Sequence, residues 1–172
     1  MDAMQNLLTR TSTKKYKSDP VPKELIEKIV EAGTYAPSGL NKQSPIILAI
    51  TDRQVRDELS KLNAGKDPFF RADPFYGAPV VLVVLADKSV PTYVYDGALV
   101  MENLMLAAHA LGLGCCWIHR AKETFEMPEG KALLEKLGIQ GEYEGIGNCI
   151  IGYKDGEFPV KPRKENRVYY VD

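Results

Sequence analysis

The chain has 172 residues, 45% hydrophobic and 26% charged, with 22 Lys plus Arg set against 23 Asp plus Glu. That composition suits a globular chain with a real core and excludes one that is largely disordered, while the near-zero net charge argues against a nucleic-acid partner, which would need an extensive basic face. The three cysteines, Cys115, Cys116 and Cys149, fit neither a disulfide framework nor a CxxC pair, and His109 and His119 lack the paired spacing of a metal site, so buried reduced thiols and no metal are expected.

From the N-terminus, Arg10, Lys14, Lys15 and Lys17 surround the hydroxyls of Thr11, Ser12 and Thr13. Pro22 opens a helix with apolar residues at Leu25, Ile26, Ile29 and Val30 that stops near Gly33. Ala36 to Pro45 is a Gly- and Pro-constrained loop carrying Ser38, Asn41 and Gln43, able to read the polar edge of a ring or to close on itself as a structural turn. Ile46 to Ile50 reads as a strand, and Asp52 caps a helix running to about Leu62.

Asn63 to Gly77, with Phe69, Phe70, Phe75 and Tyr76, has neither period and reads as an ordered surface excursion, a lid or a pocket wall. Pro79 to Leu85 is a strand. Its apolar run, Ala78 to Ala86, is far shorter than the ~20 residues that span a bilayer. The start of the chain lacks a basic, apolar leader, so a cytoplasmic protein without a membrane partner is expected. Tyr95 to Leu111 is apolar almost all round, a helix buried on several sides whose remaining face a symmetry mate would cover. Cys115 to Ile118 is a strand, Pro128 to Leu137 a helix, and Glu144 to Tyr153 a final strand.

This order of elements implies an α/β or α+β layer protein, and with no repeat or linker a single domain over 1–172 is expected, its tail beginning at about 154. The tail repeats the chemistry of the start: Lys161, Arg163, Lys164 and Arg167 are its cations. Two acid-poor segments with interleaved hydroxyls look like halves of a phosphate site, Arg binding bidentately and Lys as a point charge; the bland alternative is two solvated basic ends. No GxGxxG turn, GxxxxGK[ST] loop or GxSxG elbow is present, so a phosphate would have to be held in another way.

Arg10-Thr11-Ser12-Thr13-Lys14 with Tyr16, Ala36-Pro37-Ser38-Gly39-x-Asn41-x-Gln43-Ser44-Pro45, Leu111-Gly112-Leu113-Gly114-Cys115-Cys116-Trp117-Ile118, and Gly152-Tyr153 with Lys161-Pro162-Arg163-Lys164, in that order over nearly the whole chain, resemble the FMN-dependent nitroreductase family. The resemblance implies an α+β fold with a central, mainly antiparallel sheet flanked by helices. It also implies a homodimer with FMN at two shared sites, reduced by NADH or NADPH and reoxidised by a small-molecule acceptor such as a nitroaromatic or quinone in a ping-pong cycle.

By the same resemblance, Arg10, Thr11, Ser12 and Lys14 attend the FMN phosphate, ribityl and pyrimidine side, and Lys161 with Arg163 completes the phosphate clamp. The loop with Pro37, Ser38, Gly39, Asn41 and Gln43 reaches FMN from the partner subunit. Cys116, Trp117, Ile118 and His119 lie along one side of the isoalloxazine, where a backbone N–H approaches N5, and Asn63 with Lys66 matches a pair that touches the ring's polar edge. His119 stands where longer relatives often carry an acid, and it either tunes a substrate or meets solvent. Rival readings are an FMN-binding or redox-sensing module without turnover, and a dehalogenase or flavin-breakdown enzyme of the same fold.

Overall fold

A computed structural model describes residues 1–65 and 73–172. At its centre lies β2 (Val80–Asp87), where alternation puts Val80, Leu82 and Val84 into one apolar cluster and Val81, Val83 and Leu85 into the other, all essentially inaccessible. With β1 (Pro45–Ile50), β3 (Gly114–Ile118) and β4 (Tyr143–Gly152) it forms a four-stranded sheet in the order β1-β2-β4-β3, every pairing antiparallel. Helices cover both faces. α2 (Lys23–Thr34) and α4 (Tyr93–Ala110) pack on the first cluster, and α3 (Arg53–Ala64), α5 (Ala121–Glu126) and α6 (Pro128–Lys136) on the second. The chain is thus α+β with a central antiparallel sheet, and the strands lie within two residues of the sequence-based expectation.

Three differences have physical causes. α1 (Ala3–Thr9) was not expected; Asp2 Oδ1 caps it by accepting the Gln5 N–H at 2.8 Å, yet the helix buries no residue, so no inward apolar stripe marks it. α5 was likewise missed, being barely more than one turn. α3 continues to Ala64 and takes in Asn63, so the expected excursion starts only after Gly65, whose φ of 62° ends the helix. Of that excursion, Lys66, Phe69 and Phe70 lie outside the described residues.

The two ends of the chain meet beside the sheet. Thr13 N–H donates to Cys115 O at 2.9 Å, Lys17 N–H to Tyr153 O at 2.9 Å, and Asp155 N–H to Lys15 O at 3.1 Å, laying residues 13–17 along β3 and the exit of β4. Tyr16 and Thr13 are buried there, Tyr16 donating its hydroxyl to Thr13 O at 2.9 Å. Gly114 is needed at this seam, because a Cβ would stand 2.7 Å from the Thr13 side chain. Past Lys154 the described chain forms no further helix or strand.

Candidate active site

That seam delivers Arg10, Thr11, Ser12 and Lys14 to one wall of a cavity of about 450 Å³ whose other wall is the tail, with Phe158, Lys161 and Arg163. The two basic ends therefore share one site, with Glu157 the acid on its rim. Arg10 Nη1 is buried and has no hydrogen-bond partner among the described residues, a donor of the kind that native structures normally satisfy. Thr11 plays a different part from the expected free donor: its hydroxyl donates to Phe158 O at 2.8 Å, which ties the tail across the cavity. Guanidinium, ammonium and hydroxyl donors around one opening are the chemistry of a phosphate monoester site.

Beside it runs the end of β3. Trp117 turns inward over Gly147, where a Cβ would lie 2.7 Å from the indole nitrogen, so the strand can offer a ligand mainly its backbone here. Cys116 is 4% exposed, with its thiol in the core. The carbonyls at the strand's end are held by side chains, Asn63 Nδ2 donating to His119 O at 2.8 Å and Asn148 Nδ2 to Ile118 O at 3.3 Å, while Arg120, at φ 72°, reaches back to the end of α3 and donates to Ala64 O at 3.3 Å. Asn63 is 1% exposed, so its amide positions the turn and does not face an open ring site, while its expected companion Lys66 lies outside the described residues. His119 is exposed. Asn148 and Arg120 were not singled out from sequence, where nothing in their local spacing separates them from structural residues.

The loop after α2 closes on itself. Ser38 Oγ accepts the Gln43 N–H at 2.9 Å and Asn41 Oδ1 accepts from Gln43 Nε2 at 3.0 Å, while Gly39 N–H donates to the buried carboxylate of Asp96 at 3.0 Å. Leu40, Asn41 and Gln43 all adopt left-handed φ of 50–53°, a conformation costing non-glycine residues energy and kept only where the surroundings impose it. Pro37, Ser38 and Gln43 line a separate cavity of about 330 Å³ against Val100, and none of the loop lines the basic cavity of its own chain. Ser44 Oγ is a further buried atom without a hydrogen-bond partner among the described residues.

Burial raises all three thiols, Cys115 to about 11 despite the opposing Arg10, so they are neutral near pH 7 and thiolate chemistry is not their role. His109, 8% exposed at the end of α4, has its pKa lowered by burial and by the charges of Lys154 and Arg10. Thr9 gives its hydroxyl hydrogen to Gln5 O at 2.6 Å, so at the 2.9 Å contact His109 Nε2 is the donor, pinning the residue that precedes Arg10. Among the described residues no helix is long and apolar enough to cross a membrane.

A model described as the Nitroreductase family matches residues 7–153. A protein of Methanothermobacter thermautotrophicus, whose name couples NADH dehydrogenase with NAD(P)H nitroreductase, is 30% identical over 75% of this chain and 71% of its own length. The FMN reductase [NAD(P)H] of Bacillus subtilis is 25% identical over 94% of this chain and 70% of that protein. In fold, the crystal structure of a nitroreductase with bound FMN from Bacteroides fragilis superposes with a TM-score of 0.87 over 100% of both chains at 24% identity. The match over residues 7–153, most of the sequence, establishes that this chain belongs to the nitroreductase family.

Proposed function

We propose that the chain is an FMN-dependent NAD(P)H oxidoreductase of the cytoplasm, a homodimer that reduces nitroaromatics, quinones or related acceptors by a ping-pong cycle. The observation that carries this reading is the cavity where Arg10, Ser12 and Lys14 face Lys161 and Arg163, with a buried Arg10 donor unmatched by the described protein. The donor set fits FMN: cations for its phosphate at one end, a hydroxyl, and Lys14 leading toward the bared backbone of β3. FMN, when bound, supplies hydride transfer between a nicotinamide and the acceptor.

The chain's own contribution is binding, orientation and charge. Arg10 and Arg163 neutralise the phosphate dianion and Lys161 adds a point charge. Lys14 places positive charge at the ring's pyrimidine edge, where negative charge grows on reduction. Asn63 and Asn148 hold the Ile118 and His119 carbonyls, which fixes the turn whose backbone N–H would serve the ring. The pre-formed loop with Ser38, Asn41 and Gln43 stands off its own clamp and so serves the partner's site.

An anaerobic titration followed by flavin absorbance tests the reading. FMN-loaded protein is expected to bleach with NADH or NADPH and to recolour with a nitroaromatic or quinone. FMN that neither nucleotide reduces would overturn the oxidoreductase in favour of a binding or sensing module.

A further inference from the structure

Resting on the flavin reading above, we infer that Tyr76 is a positioning residue for Lys14, its ring fixing the ammonium where the flavin's pyrimidine edge lies and so setting both FMN affinity and flavin potential. Lys14 Nζ stands over the Tyr76 ring, 6.0 Å from its centroid, within the range of a cation–π contact. Lys14 is otherwise an exposed, flexible side chain on the cavity wall, and an ammonium on four rotatable bonds acts at one atom of a ligand only if something limits where it goes.

Tyr76 itself is held by an unusual amount of structure. Its φ is 54° and that of Gly77 is 77°, so a bulky aromatic occupies the left-handed region, a strained state that persists only where neighbours impose it. The neighbours are identifiable. Asp73 accepts from Phe75 N–H at 3.0 Å and Gly77 N–H at 2.7 Å, gripping the backbone on both sides of Tyr76. The same carboxylate accepts from Ser60 Oγ at 2.7 Å and from Arg56 Nη2 at 2.7 Å. Arg56, 2% exposed, also donates to Ala78 O at 3.0 Å and lies 5.4 Å from the Phe75 ring centroid. The buried Arg56 of α3, paired with the partly exposed Asp73, thus fixes residues 73–78, and the side chain that emerges from this frame meets Lys14.

FMN binding, followed by quenching of flavin fluorescence, and the midpoint potential of bound FMN are measured in wild type, Tyr76→Phe, Tyr76→Asn, Lys14→Met and the Lys14→Met/Tyr76→Asn double variant. Asn removes the ring while tolerating left-handed backbone, which keeps the turn intact. Tyr76→Asn is expected to weaken FMN about fivefold and to make the potential more negative, Tyr76→Phe to retain wild-type values because the ring face remains, and Tyr76→Asn to add nothing once Lys14 is gone. An equal loss in both Lys14 backgrounds, or a Phe variant as weak as the Asn variant, would overturn the inference while leaving FMN binding by the wild type intact. Absence of quenching by wild-type protein would overturn the flavin reading and the inference with it.

Discussion

Arg56 and Asp73 show what single residues do here that their sequence neighbourhood does not announce. Arg53 and Arg56 stand on the same helix, yet Arg53 pairs at the surface with Asp57 and Arg56 is buried beneath residues 73–78. An exposed i, i+4 pair contributes little, whereas the buried Arg56 guanidinium is held by two carboxylates, Asp73 at 2.7 Å and Asp57 at 2.9 Å. Burial alone would raise the Asp73 carboxyl, but hydrogen bonds from Arg56, Ser60 and Gly77 outweigh it and hold its pKa below the ordinary value. A depressed folded-state pKa stabilises above the unfolded value and is lost as pH falls through the folded one. Asp73 is about a third exposed and Arg56 keeps Asp57 as a second partner at 2.9 Å, so Asp73→Asn is expected to cost on the order of 1 kcal/mol in denaturant unfolding at pH 7, with the gap to wild type constant above about pH 5 and narrowing below it. A gap that does not change with acidification would refute the ion pair. The cations that line the shared cavity were legible because charge pattern survives in one dimension; Arg56, Asn148 and Arg120 were not, because what distinguishes them is burial and a distant partner.

At the scale of elements, strands and long helices were legible where they bury a periodic face. β2 is apolar throughout because both its faces are covered, and α4 because it touches α2, the sheet and α1. α1 has no buried residue, and Met4, Leu7 and Leu8 remain 63%, 53% and 64% exposed, so its stripe points away from its own chain's core and gave no inward signal. The loop of Ser38 to Gln43 was legible in composition but not in its left-handed backbone, nor in the grip of Asp96 of α4 on the Gly39 N–H. The tail is the element whose function depends most on its position, and Thr11 ties it across the cavity through Phe158, as Lys15 does at its start through Asp155. Replacing its two cavity cations, Lys161→Gln with Arg163→Gln, is expected to weaken FMN at least about tenfold while leaving riboflavin, which lacks the phosphate, within about twofold. Equal weakening of both ligands in a fluorescence titration would mean that the tail does not hold the phosphate.

For the whole molecule, the apolar surface left open is the strongest argument for a second copy. Val94, Tyr95 and Leu99 of α4 are 44%, 74% and 43% exposed, Leu40 at the loop tip is 93% exposed, and Val168, Tyr169, Tyr170 and Val171 of the tail are 66% to 97% exposed. A second copy packed on these side chains would remove them from water. The same faces carry the loop that stands off its own phosphate cavity, so dimerisation and completion of the active site are one event in this account. Sedimentation velocity recorded in the flavin absorption band tests that most directly: all bound FMN is expected to travel with a species of twice the chain mass, at one FMN per chain. FMN travelling stoichiometrically with a single chain would contradict the shared site.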